Sequence, residues 1–274
     1  MRYKIVASDL DGTLFDSNGV ISKENLSAIE EMEQNGVDFV PASGRGLSEF
    51  PDELKNNPFI RYVIYSNGAV VENVKNGDKI LNCIPNDTKD ELLDIFFKTD
   101  CHITVRCDGK CYIDKEFSSK KWFEYYSINP EHKNVISMFG KPTENFKEFC
   151  YEAKDIEVFS VFFKNDEEKE MCKNFIGKSD LIDAALIYEN NLEIFSATAG
   201  KGNALMALAD KLGVRRNETI SVGDSDNDRT MTIASGLGLV TSNARTSLKE
   251  IADEIICSND EHIVRYIMDK FIER

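Results

Sequence analysis

A short apolar run, Ile5-Val6-Ala7, flows into two aspartates one residue apart, Asp9 and Asp11, then into Gly12 and Thr13. The run is brief, rich in β-formers and bounded by glycine, so it reads as a buried strand. Both carboxylates then stand at that strand's carboxyl end, where open α/β sheets bind their ligands. Two acids so close repel unless a cation lies between them. This pairing constrains the fold more than any other stretch, because it demands a sheet whose strand ends face one crevice.

The chain downstream supplies such a sheet. Ser22 reads as the cap of a helix carrying Leu26, Ile29 and Met32, closed by Asn35-Gly36. Val37 to Val40 is a second apolar strand, running into Pro41-Ala42-Ser43-Gly44-Arg45. Strand, helix, strand is the signature of a parallel sheet. Tyr62 to Tyr65 is a third strand ending in Ser66-Asn67-Gly68, and Asn76-Gly77 marks a hairpin.

From about Pro85 the character changes. We read a helix near 88–97, then two strands around an Asp108-Gly109 turn, and an aromatic helix over 117–126. There follow a strand near 135–139, a helix from about Thr143, a strand over 157–163, a charged helix over 166–175 and a strand over 181–188. Paired strands with several helices indicate an α+β insert, placed at 84–190. The βα rhythm resumes near Leu192 to Phe195. Lys201-Gly202 opens a helix. Thr219 to Val222 is a strand ending in Gly223-Asp224-Ser225-Asp226-Asn227-Asp228, and Asn259 reads as the cap of the last helix. The expected fold is therefore α/β, a parallel-sheet core of residues 1–83 and 191–274 with an inserted α+β domain.

Composition narrows the function. The 274 residues are 42% hydrophobic, ample for a core, and carry a net charge of −15 with no basic tail. That disfavours nucleic acid as a partner. It also means that an anionic substrate must be met by local positive charge. No signal pattern or bilayer-length apolar run is seen, and seven scattered cysteines suit reduced thiols, so a cytoplasmic protein, monomeric or weakly dimeric, is expected.

Phosphoryl transfer needs an aligned nucleophile, neutralised oxygens and a protonated leaving group. Asp9 suits the nucleophile and Asp11 the acid and base. Ser43 suits a phosphoryl-oxygen contact, and Lys201 suits neutralisation of transition-state charge. Asp224 completes a hard oxygen site for Mg²⁺ with Asp9, with Asp228 supporting the metal's waters or Lys201. Asn227 suits orienting the phosphate or Asp9. Gly12, Thr13, Gly44, Arg45, Asn67 and Gly68 are further expected phosphate or substrate contacts. Each cluster alone reads as a turn, a cap or a solvated lysine; four at strand ends or helix starts do not.

Other motifs fail. A calcium loop from Asp224 would need Gly where Arg229 stands and Glu where Ser235 stands. A P-loop at Gly200-Lys201 lacks its first glycine, where Phe195 stands, and Gly236-x-Gly238 lacks the third glycine of a dinucleotide fingerprint. With a two-residue Asp108-Gly109 turn, Cys107 and Cys111 point to opposite sheet faces, unsuited to one zinc ion. The aromatic set Trp122, Phe123, Tyr125 and Tyr126 reads as core packing of the insert.

The chain resembles the haloacid dehalogenase superfamily, more narrowly its Cof-type sugar-phosphate phosphatases. The pieces that carry the resemblance are Asp9-Leu10-Asp11-Gly12-Thr13-Leu14, Ser43-Gly44-Arg45, Lys201-Gly202 and Gly223 to Asp228 with Met231. Asn243-Ala244 and Ser258-Asn259-Asp260 fit the branch's carboxyl end. Ser43 stands where Thr is more usual, and Ser242 precedes Asn243 where Gly is common. The resemblance implies an aspartyl-phosphate on Asp9, and Mg²⁺ held by the Asp9 and Asp224 carboxylates and the Asp11 carbonyl. It implies that the parallel-sheet core is Rossmann-like and that the inserted α+β domain is a cap domain, which closes over the site and selects the leaving group. A phosphomutase, or a non-catalytic phosphate-sensing module, stands as the alternative; intact Asp9, Asp11, Lys201 and Asp224 count against the latter.

Overall fold

The computed structural model describes residues 2–186 and 188–272. Its strands in chain order are β1 Ile5–Ser8, β2 Asp38–Pro41, β3 Tyr62–Tyr65, β4 Val70–Asn73, β5 Lys79–Leu81, β6 Cys101–Cys107, β7 Lys110–Asp114, β8 Gly140–Thr143, β9 Ile156–Phe163, β10 Ile182–Ala185, β11 Asn191–Ser196, β12 Thr219–Gly223, β13 Leu237–Val240 and β14 Glu254–Ile255. The chain divides into two compact units, Met1–Gly44 with Phe50–Ile80 and Gly200–Arg274, and Arg45–Glu49 with Leu81–Ala199.

The first unit is built on a five-stranded sheet in the order β14-β13-β12-β1-β2, every pair parallel. β1 has a partner on both sides. Ser8 lies level with Val222 of β12 and Pro41 of β2, so the carboxyl ends of all three strands share one edge. All four residues of β1 are buried, which is why it reads as a continuous apolar run rather than an alternating one. The helix Lys23–Gln34 is capped by Ser22, whose hydroxyl accepts from Asn25 N, and it buries Ala28, Ile29 and Met32. β3, β4 and β5 form a small separate sheet, tied to the end of β2 by a parallel bridge between Ala42 and Ile64.

The second unit holds a six-stranded sheet, β10-β11-β9-β6-β7-β8, antiparallel except where β7 meets β8. β9 lies inside it with all eight residues buried. Phe159, Val161 and Phe163 pack with Leu92, Leu93 and Phe96 of the helix Asn86–Phe96. Phe162 points the other way, into a cluster with Phe123, Tyr126 and Ile136. Burial on both faces explains the poor alternation of this strand. Asp108 and Gly109 take positive φ of 50° and 67°, as a tight hairpin requires, and Arg106 pairs with Cys111 and Cys107 with Lys110. Phe123 and Tyr126 are buried, whereas Tyr125 is exposed.

Several sequence expectations need correction here. Residues 135–139 are not a strand but the end of a helix, Pro130–Phe139. Asn129 caps it by accepting from His132 N, Pro130 sits in its first turn, and of its apolar residues only Ile136 is buried. Thr143 ends β8, and the helix expected there begins at Phe146. The aromatic segment splits into a 3₁₀ turn, Lys115–Phe117, and a short helix, Lys120–Tyr125. Residues 192–195 do not resume the parallel core. They lie in β11, paired antiparallel to β9, with Leu192 and Ile194 in the insert's core. The units therefore divide at 80/81 and 199/200 rather than at 83/84 and 190/191. Of the strand expected over 181–188, residues 182–185 form β10, and Ile187 lies outside the described residues. Asn259 does not cap the final helix, Ile263–Ile267; its side chain donates to the Phe15 carbonyl. No helix of the described residues is long and apolar enough to cross a membrane.

Candidate active site

β1 delivers Asp9 in extended backbone (φ −62°, ψ 164°), and the chain then turns through Leu10–Leu14. The turn is closed by Leu14 N donating to Asp9 O and Phe15 N donating to Leu10 O. Gly12 sits at φ +77°, and a Cβ there would lie 2.7 Å from Asp224 Oδ2, so both the backbone and the space demand glycine. Asn243 Nδ2 donates to the Gly12 carbonyl at 2.8 Å, pinning the turn from the far end of the chain. Asp9 is almost wholly buried, whereas Asp11 is exposed. The two acids thus occupy different environments, one dry and one wet, one residue apart.

The helix Lys201–Lys211 brings Lys201 to Asp9. The ammonium is 0% exposed and donates to Asp9 Oδ1 at 2.5 Å and to Asp228 Oδ1 at 2.6 Å. Asp228 has no free oxygen, since its Oδ2 accepts from the backbone N–H of Asp224 and of Ser225. It reaches that place because Gly223 leaves room; a Cβ on Gly223 would lie 2.5 Å from Asp228 Cβ. Asp224 follows β12 and receives a hydrogen bond from Thr13 Oγ1 at 3.1 Å. Thr13, expected to meet phosphate, instead spends its hydroxyl on this carboxylate.

Burial pushes the Asp9 carboxyl well above the ordinary aspartate range; Lys201 opposes this, and the nearby Asp228 and Asp224 add to it. Asp224 is raised as well, by burial and then by Asp228, with the Thr13 hydroxyl opposing. Burial alone would lower Lys201, but Asp228 and Asp9 together hold its ammonium above an ordinary lysine. Carboxylates crowded this way stay ionised when a cation joins them.

Asp9, Asp224 and Asp228 each offer an oxygen within 4.8 Å of the others. The donors are hard carboxylate oxygens, the set that Mg²⁺ or Ca²⁺ takes. Because both oxygens of Asp228 are already engaged, by Lys201 and by two amides, Asp9 and Asp224 are the pair better placed to hold an ion. The residues therefore fit a divalent cation, with Asp228 supporting Lys201.

The second ring of expected residues is partly assembled. Ser43, buried, follows β2, whose last residue Pro41 lies level with Ser8, the residue before Asp9. Asn67 N donates to the Ser43 carbonyl, and Asn67 Oδ1 accepts from Asn227 Nδ2 at 3.1 Å, so the Ser43, Asn67 and Asn227 loops are linked. Gly44 lies against the Asn67 amide, where a Cβ would come within 2.9 Å of Oδ1. Arg45 falls in the second unit, where its guanidinium donates to the Glu49 carbonyl. Sequence chemistry gave Asn243 and Thr230 no role. The first holds the Gly12 turn, and Thr230 Oγ1 accepts from Gly202 N at 3.1 Å.

Comparison with known proteins agrees with this geometry. The family model of haloacid dehalogenase-like hydrolases matches residues 6–268. The phosphatase YwpJ of Bacillus subtilis is 29% identical over 97% of this chain and 98% of its own length. The 5-amino-6-(5-phospho-D-ribitylamino)uracil phosphatase YwtE of the same organism is 29% identical over 98% of each chain. The crystal structure of TM0651 from Thermotoga maritima shares the fold with a TM-score of 0.79 at 24% identity, covering 99% of this chain and 98% of that one. With the parallel sheet, the inserted second unit and the Asp9–Lys201–Asp228 cluster in place, the chain belongs to the haloacid dehalogenase-like hydrolases and is a phosphatase of that superfamily.

Proposed function

We propose that this phosphatase hydrolyses small phosphorylated metabolites, sugar phosphates foremost, through an aspartyl-phosphate on Asp9 with Mg²⁺ as cofactor. The observation that carries the reading is the buried triad in which one ammonium bridges Asp9 and Asp228. A lysine held this way fixes one Asp9 oxygen and leaves the other for attack. It also places a full positive charge beside the reacting centre in a dry site, where it counts most.

In the first step an Asp9 oxygen bonds to phosphorus as the ester P–O bond breaks, and Asp11 gives its proton to the departing alkoxide. In the second, Asp11 takes a proton from a water whose oxygen bonds to phosphorus, and the P–O bond to Asp9 breaks, freeing inorganic phosphate. The exposure of Asp11 suits this alternation, because it must meet both leaving group and water. Ser43, Gly44, Asn67 and Asn227 hold phosphoryl oxygens and substrate. The Asp9 and Asp224 carboxylates with the Asp11 carbonyl would hold Mg²⁺, which when bound neutralises phosphoryl oxygens. A ribityl phosphate ester in the name of the relative YwtE supports a small polyhydroxylated leaving group.

The test is release of inorganic phosphate from an aryl phosphate and from a panel of sugar phosphates with Mg²⁺. Asp9→Asn abolishes release if the reading holds. A wild type that releases none under any divalent metal ends it, and recovery of an isomerised sugar phosphate instead of free sugar assigns a mutase.

A further inference from the structure

Lys201 stands between two glycines, and each is gripped by main chain from elsewhere in the first unit. On one side is Gly68. A Cβ on Gly68 would lie 2.3 Å from the Gly200 carbonyl oxygen and 2.4 Å from its carbonyl carbon. On the other side a Cβ on Gly202 would lie 2.3 Å from the Thr230 carbonyl oxygen, while Gly202 N donates to Thr230 Oγ1. The backbone carrying Lys201 is thus pressed from both sides by contacts too close for any side chain.

The loop that supplies Gly68 is costly to build. Ser66, Asn67 and Gly68 take positive φ in succession, at 50°, 54° and 90°. Two of them are not glycine, and such backbone persists only where its surroundings over-determine it. They do so here. Asn67 N donates to Ser43 O, Asn67 Oδ1 accepts from Asn227, and Ala69 N donates to Ser66 O. The loop is therefore fastened to the segments after β2 and β12, and it hands their position to Gly200.

We propose that Gly68 and Thr230 form a two-sided main-chain clamp that sets the Lys201 ammonium between Asp9 and Asp228. Gly68 is then a positioning residue for phosphoryl transfer, not a substrate contact. The proposal rests on the phosphatase reading of Asp9 and Lys201. It predicts a loss in the chemical step rather than in substrate binding, because the lysine acts on charge that develops in the transition state.

Gly68→Ala adds one methyl group where Gly200 already sits. Gly77→Ala is its control, since Gly77 has φ +79° with nothing within 4 Å, so it carries the same backbone penalty without the collision. With an aryl phosphate and saturating Mg²⁺, Gly68→Ala lowers kcat about 100-fold while KM changes less than about 3-fold. Inhibition by orthovanadate, a transition-state mimic, weakens in step with kcat, and inhibition by inorganic phosphate does not. Gly77→Ala keeps wild-type kcat. Should Gly68→Ala fail to fold, Ala69→Gly loosens the same loop without adding an atom, and a several-fold fall in kcat at constant KM is expected. Wild-type kcat in a folded Gly68→Ala, or in Ala69→Gly when Gly68→Ala cannot be made, overturns the proposal alone. A loss confined to KM does the same. A wild type without phosphatase activity overturns the function and the proposal together.

Discussion

Replacing Lys201 by Met removes the buried cation that bridges Asp9 and Asp228. The stem volume is nearly kept, so the change is chiefly electrostatic. Asp228 retains two backbone hydrogen bonds on Oδ2, but its Oδ1 and Asp9 Oδ1 both lose the ammonium. The side chains involved are 0%, 5% and 0% exposed for Lys201, Asp9 and Asp228, so water cannot take its place. Breaking a buried ion pair by removing one partner costs about 3–5 kcal/mol, because it leaves charge without compensation. A unit of this size loses about 2–4 °C in Tm per kcal/mol, so a fall of roughly 6–20 °C is expected. The assay is urea and thermal unfolding followed by far-ultraviolet circular dichroism with chelator present, since a divalent cation would stand in for the ammonium. Asp9 already lies above its unfolded value, and losing Lys201 raises it further. A carboxyl raised in the folded state gives stability that is fully present below its unfolded value and is lost as pH rises through its folded value. The deficit of Lys201→Met is therefore largest at pH 8 and shrinks as pH falls toward 5, and adding Asp228→Asn recovers part of it. A deficit under about 1 kcal/mol at pH 8, or one that grows on acidification, refutes the buried triad.

Three other outcomes follow from the same geometry. Thr13→Val removes the hydroxyl that orients Asp224 while keeping the shape, so the Mg²⁺ concentration giving half-maximal activity rises about 10–100-fold, read by metal titration of phosphate release. Mg²⁺ raises the Tm of the wild type but not of Asp224→Asn, because only the former keeps both of the carboxylates, Asp9 and Asp224, left to hold the ion; equal shifts would place the ion elsewhere. In the second unit, burial among Phe123, Tyr126 and Phe162 pushes His102 down to about 4, so the folded unit holds it neutral. Its contribution is present above about pH 6.5 and lost as pH falls toward 4, about 2 kcal/mol by pH 5. Trp122, the single tryptophan, reports the unfolding of this unit, and His102→Phe removes that part of the pH slope.

The core was legible because its chemistry lies in short local patterns. Asp9, Ser43 and Asp224 each end a buried strand, and a buried strand announces itself by an apolar run that stops at glycine or a small polar residue. What escaped is what long-range packing decides. Thr13 pairs with Asp224 across 211 positions, and nothing in Gly-Thr distinguishes a phosphate contact from a carboxylate support. Arg45 follows Ser43-Gly44 directly, yet the chain passes into the second unit at that residue, a division that adjacency in sequence does not announce. In the insert, Val135 to Phe139 is apolar enough for a strand, but the cap at Asn129 and Pro130 had already committed the chain to helix.

The same contrast explains why glycines say most about this site and were read least well. A glycine in a motif advertises a turn, but not which atoms its missing Cβ makes room for. Gly12 yields to Asp224, Gly223 to Asp228, Gly68 to Gly200 and Gly202 to Thr230. All but Gly223 draw together backbone or carboxylates that are far apart in sequence. A chain with a net charge of −15 cannot attract a phosphate ester by its overall field. It must hold one lysine, and the carboxylates for a cation, within a few ångströms of one another. Side chains at those four positions would hold the acidic groups and their cation apart. The close packing of glycine backbone is thus what lets an acidic protein set one buried ammonium, and the carboxylates for a cation, beside Asp9.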